Sequence, residues 1–267
     1  MFPTVQLSAV QLVSLHEYIR LLLTKSERKL HMKLKLMSVS KDFGEKKVLK
    51  NVDFEFQQGK IYALLGRNGA GKTTLFNIIA RELEQDGGVI VLQEEDGQEN
   101  PLKTTDYSYM YSTPILPEFL TGYEFIKFFW DINRERIDPE KTIEDYFELI
   151  QINEADRHRL IKGYSHGMKN KIQMMMFLIA RPMIILMDEP LTSLDVVVAS
   201  EIKNLIRSIR ADHIILFSTH MLQLAMDLCD EIVVLHNGVL RLIDHEMLKD
   251  PNFESEIVDI LKEAEDD

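Results

Sequence analysis

Cysteine is almost absent: Cys229 is the only one among 267 residues. No disulfide framework can therefore form within the chain, which suits a reducing cytosol. Long apolar runs are missing too. The longest are short strand-like pieces, well under the ~20 residues that a membrane-spanning helix needs. The first residues have no basic start, and His16, Glu17 and Arg20 interrupt the apolar stretch there, so no signal peptide is expected. Positive charge is the scarcer sign. Lys and Arg number 31 against 43 Asp and Glu, a formal charge of -12. That balance argues against wholesale binding to nucleic acid, which needs a basic face, though it leaves room for a local basic patch. Repeats and low-complexity linkers are also lacking. What remains is 45% hydrophobic and 28% charged. It reads as a globular chain with one large domain or two closely packed subdomains.

Along the chain, residues 1–31 read as a helical extension, with a possible capping box at Ser8–Gln11 and Leu12, Leu15, Ile19 and Leu22 at near-helical spacing. From Met32 the texture changes. "KLKLMSVS" alternates like a strand, and "FEFQQGKIYALLG" gives a turn and then a buried strand. "EQDGGVIVLQEEDG" reads as a hairpin turning at Asp86–Gly88. From about Pro117 to Lys162 the pattern is helical, with Phe125, Phe128, Phe129, Tyr146 and Phe147 expected on one core-facing side. A helix over Ile172–Ala180, starting near Met168, leads to the apolar strands "MIILM" and "HIILF". A third, "EIVVLHNGVLRL", folds at Asn237–Gly238, and residues 246–267 form an acidic, helical tail. The order predicts an α/β protein with a helical arm over about 114–162.

Two stretches carry chemistry. "GRNGAGKTT", Gly66–Thr74, fits G-x-x-x-x-G-K-[ST] without a gap, between the apolar strand Ile61–Leu65 and a helical segment. Gly66, Gly69 and Gly71 let backbone N–H groups converge on phosphate oxygens, and Arg67, Asn68, Ala70 and Thr74 complete the loop. The helix N-terminus adds partial positive charge. Lys72 can reach the outer phosphates, and Thr73 offers its hydroxyl to magnesium. "MIILMDEP" supplies the acidic half. Asp188 and Glu189 emerge at the tip of a buried strand, the first to hold Mg2+, the second to polarise an attacking water.

The phosphate loop, a helical insert, "YSHGMKNK" (Tyr164–Lys171), "LMDEP", "SLD" and "STH" follow in that order. Together they resemble the ATP-binding cassette (ABC) ATPases over about residues 32–245. The resemblance implies a P-loop cassette with a mixed sheet core, an antiparallel β subdomain and a helical subdomain, binding ATP and Mg2+. It implies that Ser165 and the N–H of Gly167 face a nucleotide held by a second cassette, so that the site is shared across a dimer, with a homodimer expected. Phe43 matches the aromatic that stacks on adenine. Ser193, Leu194 and Asp195 match the loop that senses the opposite site, and His220 matches the histidine at the γ-phosphate.

One position departs. The family usually has glutamine where this chain has Ser112, which puts the coupling of the metal site to the arm in doubt. The signature carries His166 and Met168 in place of glycine and glutamine, similar to bacterial cassettes for drugs, peptides and bacteriocins. The resemblance thus implies the ATPase subunit of an exporter-like transporter, cytoplasmic and held at the inner face of the cell membrane only by a separate permease. Two rivals stand beside it: a soluble ABC ATPase of assembly or repair, and a non-hydrolysing nucleotide sensor. For the first, no long coiled coil supports a repair member and no second cassette a translation-factor member, while an assembly scaffold stays open; Glu189 with His220 argues against the second.

Overall fold

The protein is described here by a computed structural model covering residues 31–137, 139–192 and 194–243, with Ile257. The expected N-terminal helix, the tail around Ile257 and Ser193 lie outside the described residues.

The first layer is an antiparallel sheet. Strand β1 (Lys33–Phe43) buries Leu34, Leu36 and Val39 on one side, while the intervening lysines are only part-buried. It pairs with β2 (Lys46–Gln57) on one edge and β4 (Gly87–Gln93) on the other, and β5 (Glu99–Pro101) completes the order β2-β1-β4-β5. The predicted hairpin is present, but its turn is not at Asp86–Gly88. The chain reverses at Glu94–Gln98, where the Glu94 N–H donates to Gln98 O at 2.8 Å. Gly87 and Gly88 instead open β4 beside an irregularity in β1. Gly88 has φ +81, and a Cβ there would lie 2.4 Å from Ser38 O. The glycine pair marks a bulge with close backbone approach, a use that looks like a turn in sequence.

The second sheet has the order β10-β9-β3-β8-β7-β6. Its centre is parallel: β3 (Ile61–Leu65), β7 (Ile184–Asp188) and β8 (Ile214–Thr219) are buried at every position. Such strands read as unbroken apolar runs because helices or the other sheet cover both faces. β6 (Tyr107–Met110) forms one edge; β9 (Glu231–His236) folds onto β10 (Val239–Leu242) at Asn237–Gly238, both at positive φ, as expected. Alternation splits the core. Tyr62 and Leu64 pack with Phe56 and Phe76 between the sheets, and Ala63 and Leu65 pack with Phe217, Ile202 and Ile257 on the far face.

A third cluster forms the helical arm. It contains α2 (Gly122–Ile132), α3 (Ile143–Leu149) and the one-turn α4 (Glu154–Arg157), following α1 (Lys72–Ile79) of the core. Capping boxes at Thr121/Glu124 and Thr142/Asp145 start α2 and α3. Phe147 and Tyr146 are buried as expected, and Phe125 and Phe129 pack at the cluster's edge. Phe128 does not join them: it is 60% exposed, with Ile132 and Phe119 also exposed nearby. The long α5 (His166–Ala180) joins arm to core and starts earlier than Met168, with Ser165 as its cap. Then come α6 (Val196–Ile209) and α7 (Leu222–Leu228).

Candidate functional site

Residues 66–71 join the tip of β3 to α1 through a turn whose left-handed positions are both glycine. Gly69 has φ +82 and Gly71 φ +107; a Cβ on Gly71 would sit 2.7 Å from Val48 Cγ1. The Lys72 ammonium folds back over this turn, donating to Gly66 O at 2.7 Å and Arg67 O at 3.1 Å. Burial lowers its pKa, partly offset by the nearby Glu189 and Asp188 carboxylates. An anion in the loop would replace the two carbonyls as its partner.

Opposite the loop, β7 delivers Asp188 at its last residue. Thr73 Oγ1 donates to Asp188 Oδ2 at 2.8 Å, joining two side chains 115 positions apart. Asp188 Oδ1 accepts from the Ser218 hydroxyl on the adjacent strand, where the register sets Asp188 beside Ser218. The same Ser218 oxygen accepts from the Glu189 N–H at 3.0 Å. Ser218 is fully buried, so this one hydroxyl fixes both acids at the strand tip. Glu189 leaves the strand with φ +50, strained for a non-glycine residue. Its carboxylate accepts from Thr192 Oγ1 at 3.0 Å and lies 2.9 Å from His220 Nδ1. A carboxylate can only accept, so Nδ1 is the ring's donor.

A cavity of about 460 Å³ is lined by Phe43, Asn68, Gly69, Gly71, Lys72, Thr73, Thr74, Ser112, Asp188 and Glu189. Phe43, 51% exposed, is on its rim rather than in the core. Arg67 and Ala70 line an adjoining recess on the loop's outer side, and Gly66 lies behind the loop against Leu235 O. His220 reaches the group through Glu189. The structure thus gathers most of the expected residues into one site.

Three stand elsewhere. Ser165 caps α5, its Oγ accepting from the Met168 N–H at 3.2 Å. Gly167 is buried against α6, where a Cβ would meet Val198 Cγ1 at 3.0 Å. Asp195 caps α6 by accepting from the N–H groups of Val197 and Val198, each at 3.0 Å. None of the three lines the phosphate cavity of its own chain. Sequence reasoning missed Thr192 and Ser218. Ser218 is the first residue of the quoted "STH", but only strand register reveals its role.

A parallel sheet with a phosphate loop at one strand tip and paired acids at its neighbour defines a P-loop nucleotide triphosphatase. Residues 49–192 match the family model described as ABC transporter. An ABC transporter ATP-binding protein of Bacillus subtilis, YxlF, is 32% identical over 206 residues, covering 77% of this chain and 68% of that protein. The Synechocystis sulfate/thiosulfate import ATP-binding protein CysA is 31% identical over 217 residues, covering 79% and 60%. A solved ATP-binding subunit of an ABC transporter superposes with TM-score 0.70 at 25% identity, covering 86% of this chain and 99% of that one. The chain belongs to the ABC transporter ATP-binding family. It is a nucleotide-binding, ATP-hydrolysing subunit coupled to a membrane transport system. Among the described residues, no helix is long and apolar enough to cross a membrane.

Proposed function

We propose that two copies of this chain close on two Mg2+-ATP molecules and, on hydrolysis, drive a separate membrane permease that exports its cargo. The observation that carries the reading is the Thr73–Asp188 contact at 2.8 Å beside Glu189, across the open face of the phosphate loop. Two hard oxygens beside a phosphate cradle suit magnesium, which takes few protein ligands and fills its shell with phosphate oxygens and water. When bound, the ion would neutralise charge on the phosphates. Lys72 would exchange Gly66 O and Arg67 O for phosphate oxygens. Glu189 would accept the proton of the attacking water. His220, with Nδ1 committed to Glu189, would turn Nε2 to the γ-phosphate. Phe43 would stack on the adenine at the rim.

Ser165 and Asp195 lie away from this cavity at exposed helix starts, with Gly167 buried just behind Ser165, which supports a role in the site of a second cassette. The exposed Val196 and Val197 beside Asp195 favour the same contact. On the arm, exposed Ile115, Phe119, Phe128 and Ile132 support an apolar surface for the permease, which would hold the chain at the cytoplasmic side of the membrane. Outward transport rests on the compact arm and the His166/Met168 signature. Import is the second reading, favoured by the likeness to CysA. ATP-driven uptake of cargo into inside-out vesicles carrying chain and permease marks export, and loss from them marks import.

The test of the shared site is Ser165→Ala. ATP should still bind the monomer, and hydrolysis should stop. If Ser165→Ala loses ATP affinity as badly as Lys72→Ala, the serine serves its own chain and the shared site is wrong.

A further inference from the structure

At the end of α5 remote from Ser165, a second cavity of about 290 Å³ opens between the arm and the core. Its walls come from α3, the last turn of α5 and residues 208–213. None of its lining residues lines the phosphate cavity. Leu149, Leu178 and Ile209 are its apolar lining, Leu149 at the open edge and 55% exposed.

Its polar groups are few and unequal. His213 is 5% exposed. The Pro182 carbonyl beside its Nδ1 can only accept, so Nδ1 carries the hydrogen. Burial pushes the ring's pKa down, against the pull of that carbonyl, and keeps it neutral. Nε2 is then a lone-pair acceptor, and it makes no hydrogen bond among the described residues. The two carboxylates at the cavity are already engaged. Asp145 accepts from the Thr142 N–H at 2.7 Å and its hydroxyl at 2.8 Å, and Asp212 pairs with Arg181 at 3.4 Å. Lys141 is exposed and closes no ion pair within 4 Å among the described residues, though its charge acts on the nearby Asp145 carboxylate. The cavity therefore offers one unmet acceptor, a solvent-facing ammonium and apolar side chains.

We propose that this cavity binds a compact organic acid bearing a hydroxyl or N–H group. The donor meets His213 Nε2, the carboxylate meets Lys141, and the ring or chain lies among Leu149, Leu178 and Ile209. The volume, at the small end of ligand pockets, limits the ligand to a single ring or its equivalent. Such a ligand bridges the arm, through α3, to the core, through residues 208–213, independently of nucleotide.

The chain carries its own reporter. Trp130, its single tryptophan, stands edge-on to Tyr146, a cavity residue, with ring centroids 5.4 Å apart. Full-length protein without nucleotide is titrated with 3- and 4-hydroxybenzoate, and with benzoate as the probe lacking a donor, following Trp130 emission and binding heat. At least one hydroxybenzoate should saturate, with benzoate weaker by about tenfold or more. His213→Asn keeps a donor for Pro182 and deletes the Nε2 acceptor, so it should erase that preference. Lys141→Ala should weaken hydroxybenzoate and benzoate alike. Should His213→Asn fail to fold, Leu178→Phe, which fills the cavity, must abolish binding. No saturable binding of either hydroxybenzoate below about 10 mM overturns the site. So does unchanged preference in His213→Asn, or unchanged affinity in Leu178→Phe.

Discussion

The hydroxyl of Thr192 donates to Glu189 Oε2 at 3.0 Å while His220 Nδ1 lies 2.9 Å from Oε1. The two oxygens of one carboxylate are held from two sides, by a residue three positions on and by one just past the end of the neighbouring strand. The turn is closed by the Thr192 N–H donating to Glu189 O at 3.1 Å. A carboxylate held this way has little rotational freedom, and a base must be aimed before it can act.

Thr192→Val keeps the shape and removes the donor. We expect kcat to fall by about tenfold, ~1.4 kcal/mol of barrier, with KM nearly unchanged, because the hydroxyl touches the base and not the phosphate loop. Thr192→Ser should restore most of the rate. Steady-state kinetics of the three proteins decide it. An unchanged kcat in the valine variant would reduce Thr192 to a turn residue.

Glu189→Gln preserves size and the Asp188 oxygens but removes the carboxylate proposed as the base. Turnover should drop ~10²–10⁴-fold while ATP binding persists. With hydrolysis stopped, the nucleotide-held dimer should accumulate, visible as an ATP-dependent shift in size-exclusion chromatography. Near-normal turnover would show that another group accepts the proton.

Much of this site was legible because its signals are local. Gly66–Thr74 is contiguous, and its glycines, lysine and threonine each have a geometric reason that needs no partner. Asp188 and Glu189 announce themselves by ending an apolar run. What was not legible depends on register and reach. Ser218 matters only because β8 lies beside β7 with Asp188 opposite it. Thr192 matters because the chain turns at Glu189, which has a positive φ, and brings the Thr192 hydroxyl onto the Glu189 carboxylate three residues before it. The Gly87–Gly88 pair looked like a turn, since φ > 0 serves turn and bulge alike. Phe128 looked like core because helical spacing gives a face without saying what covers it.

Cys229 should be inert in the folded protein. Burial pushes its thiol up from 9.0 to about 12. The thiolate fraction at pH 8 is then about a thousandfold lower than for an ordinary thiol, and the thiolate is the nucleophile. Reaction with a disulfide reagent should be slow in buffer and fast in urea. The sign for stability follows. The folded state favours the neutral thiol, whereas the unfolded chain releases its proton above about pH 9. Stability is therefore fully present below that pH and falls as pH rises from 9 to 12. Urea midpoints should drop over that window and drop less in Cys229→Ala. Fast labelling without urea would show the thiol open to solvent.

Ser112 stands where the resemblance to the ABC cassettes leads us to expect a glutamine. It is exposed and lines the same cavity as Lys72 and Asp188. Asp188, however, already has Thr73 on one oxygen and Ser218 on the other. The acid proposed to hold the metal is thus positioned without help from Ser112. Serine is also too short to follow the arm and the metal site at once, as a longer amide could. Basal hydrolysis should depend little on it, because Lys72, Asp188, Glu189 and His220 are positioned by other contacts. We expect Ser112→Ala to change the ATPase rate by less than about tenfold, roughly 1.4 kcal/mol of barrier. Ser112→Gln should leave ATP binding intact and strengthen stimulation by the permease, since the longer side chain spans from the cavity towards the arm. Rates measured with and without reconstituted permease separate the two effects. A hundredfold loss in Ser112→Ala without permease would make the serine hydroxyl a ligand of the metal, and Asp188 would then not be sufficient to hold it.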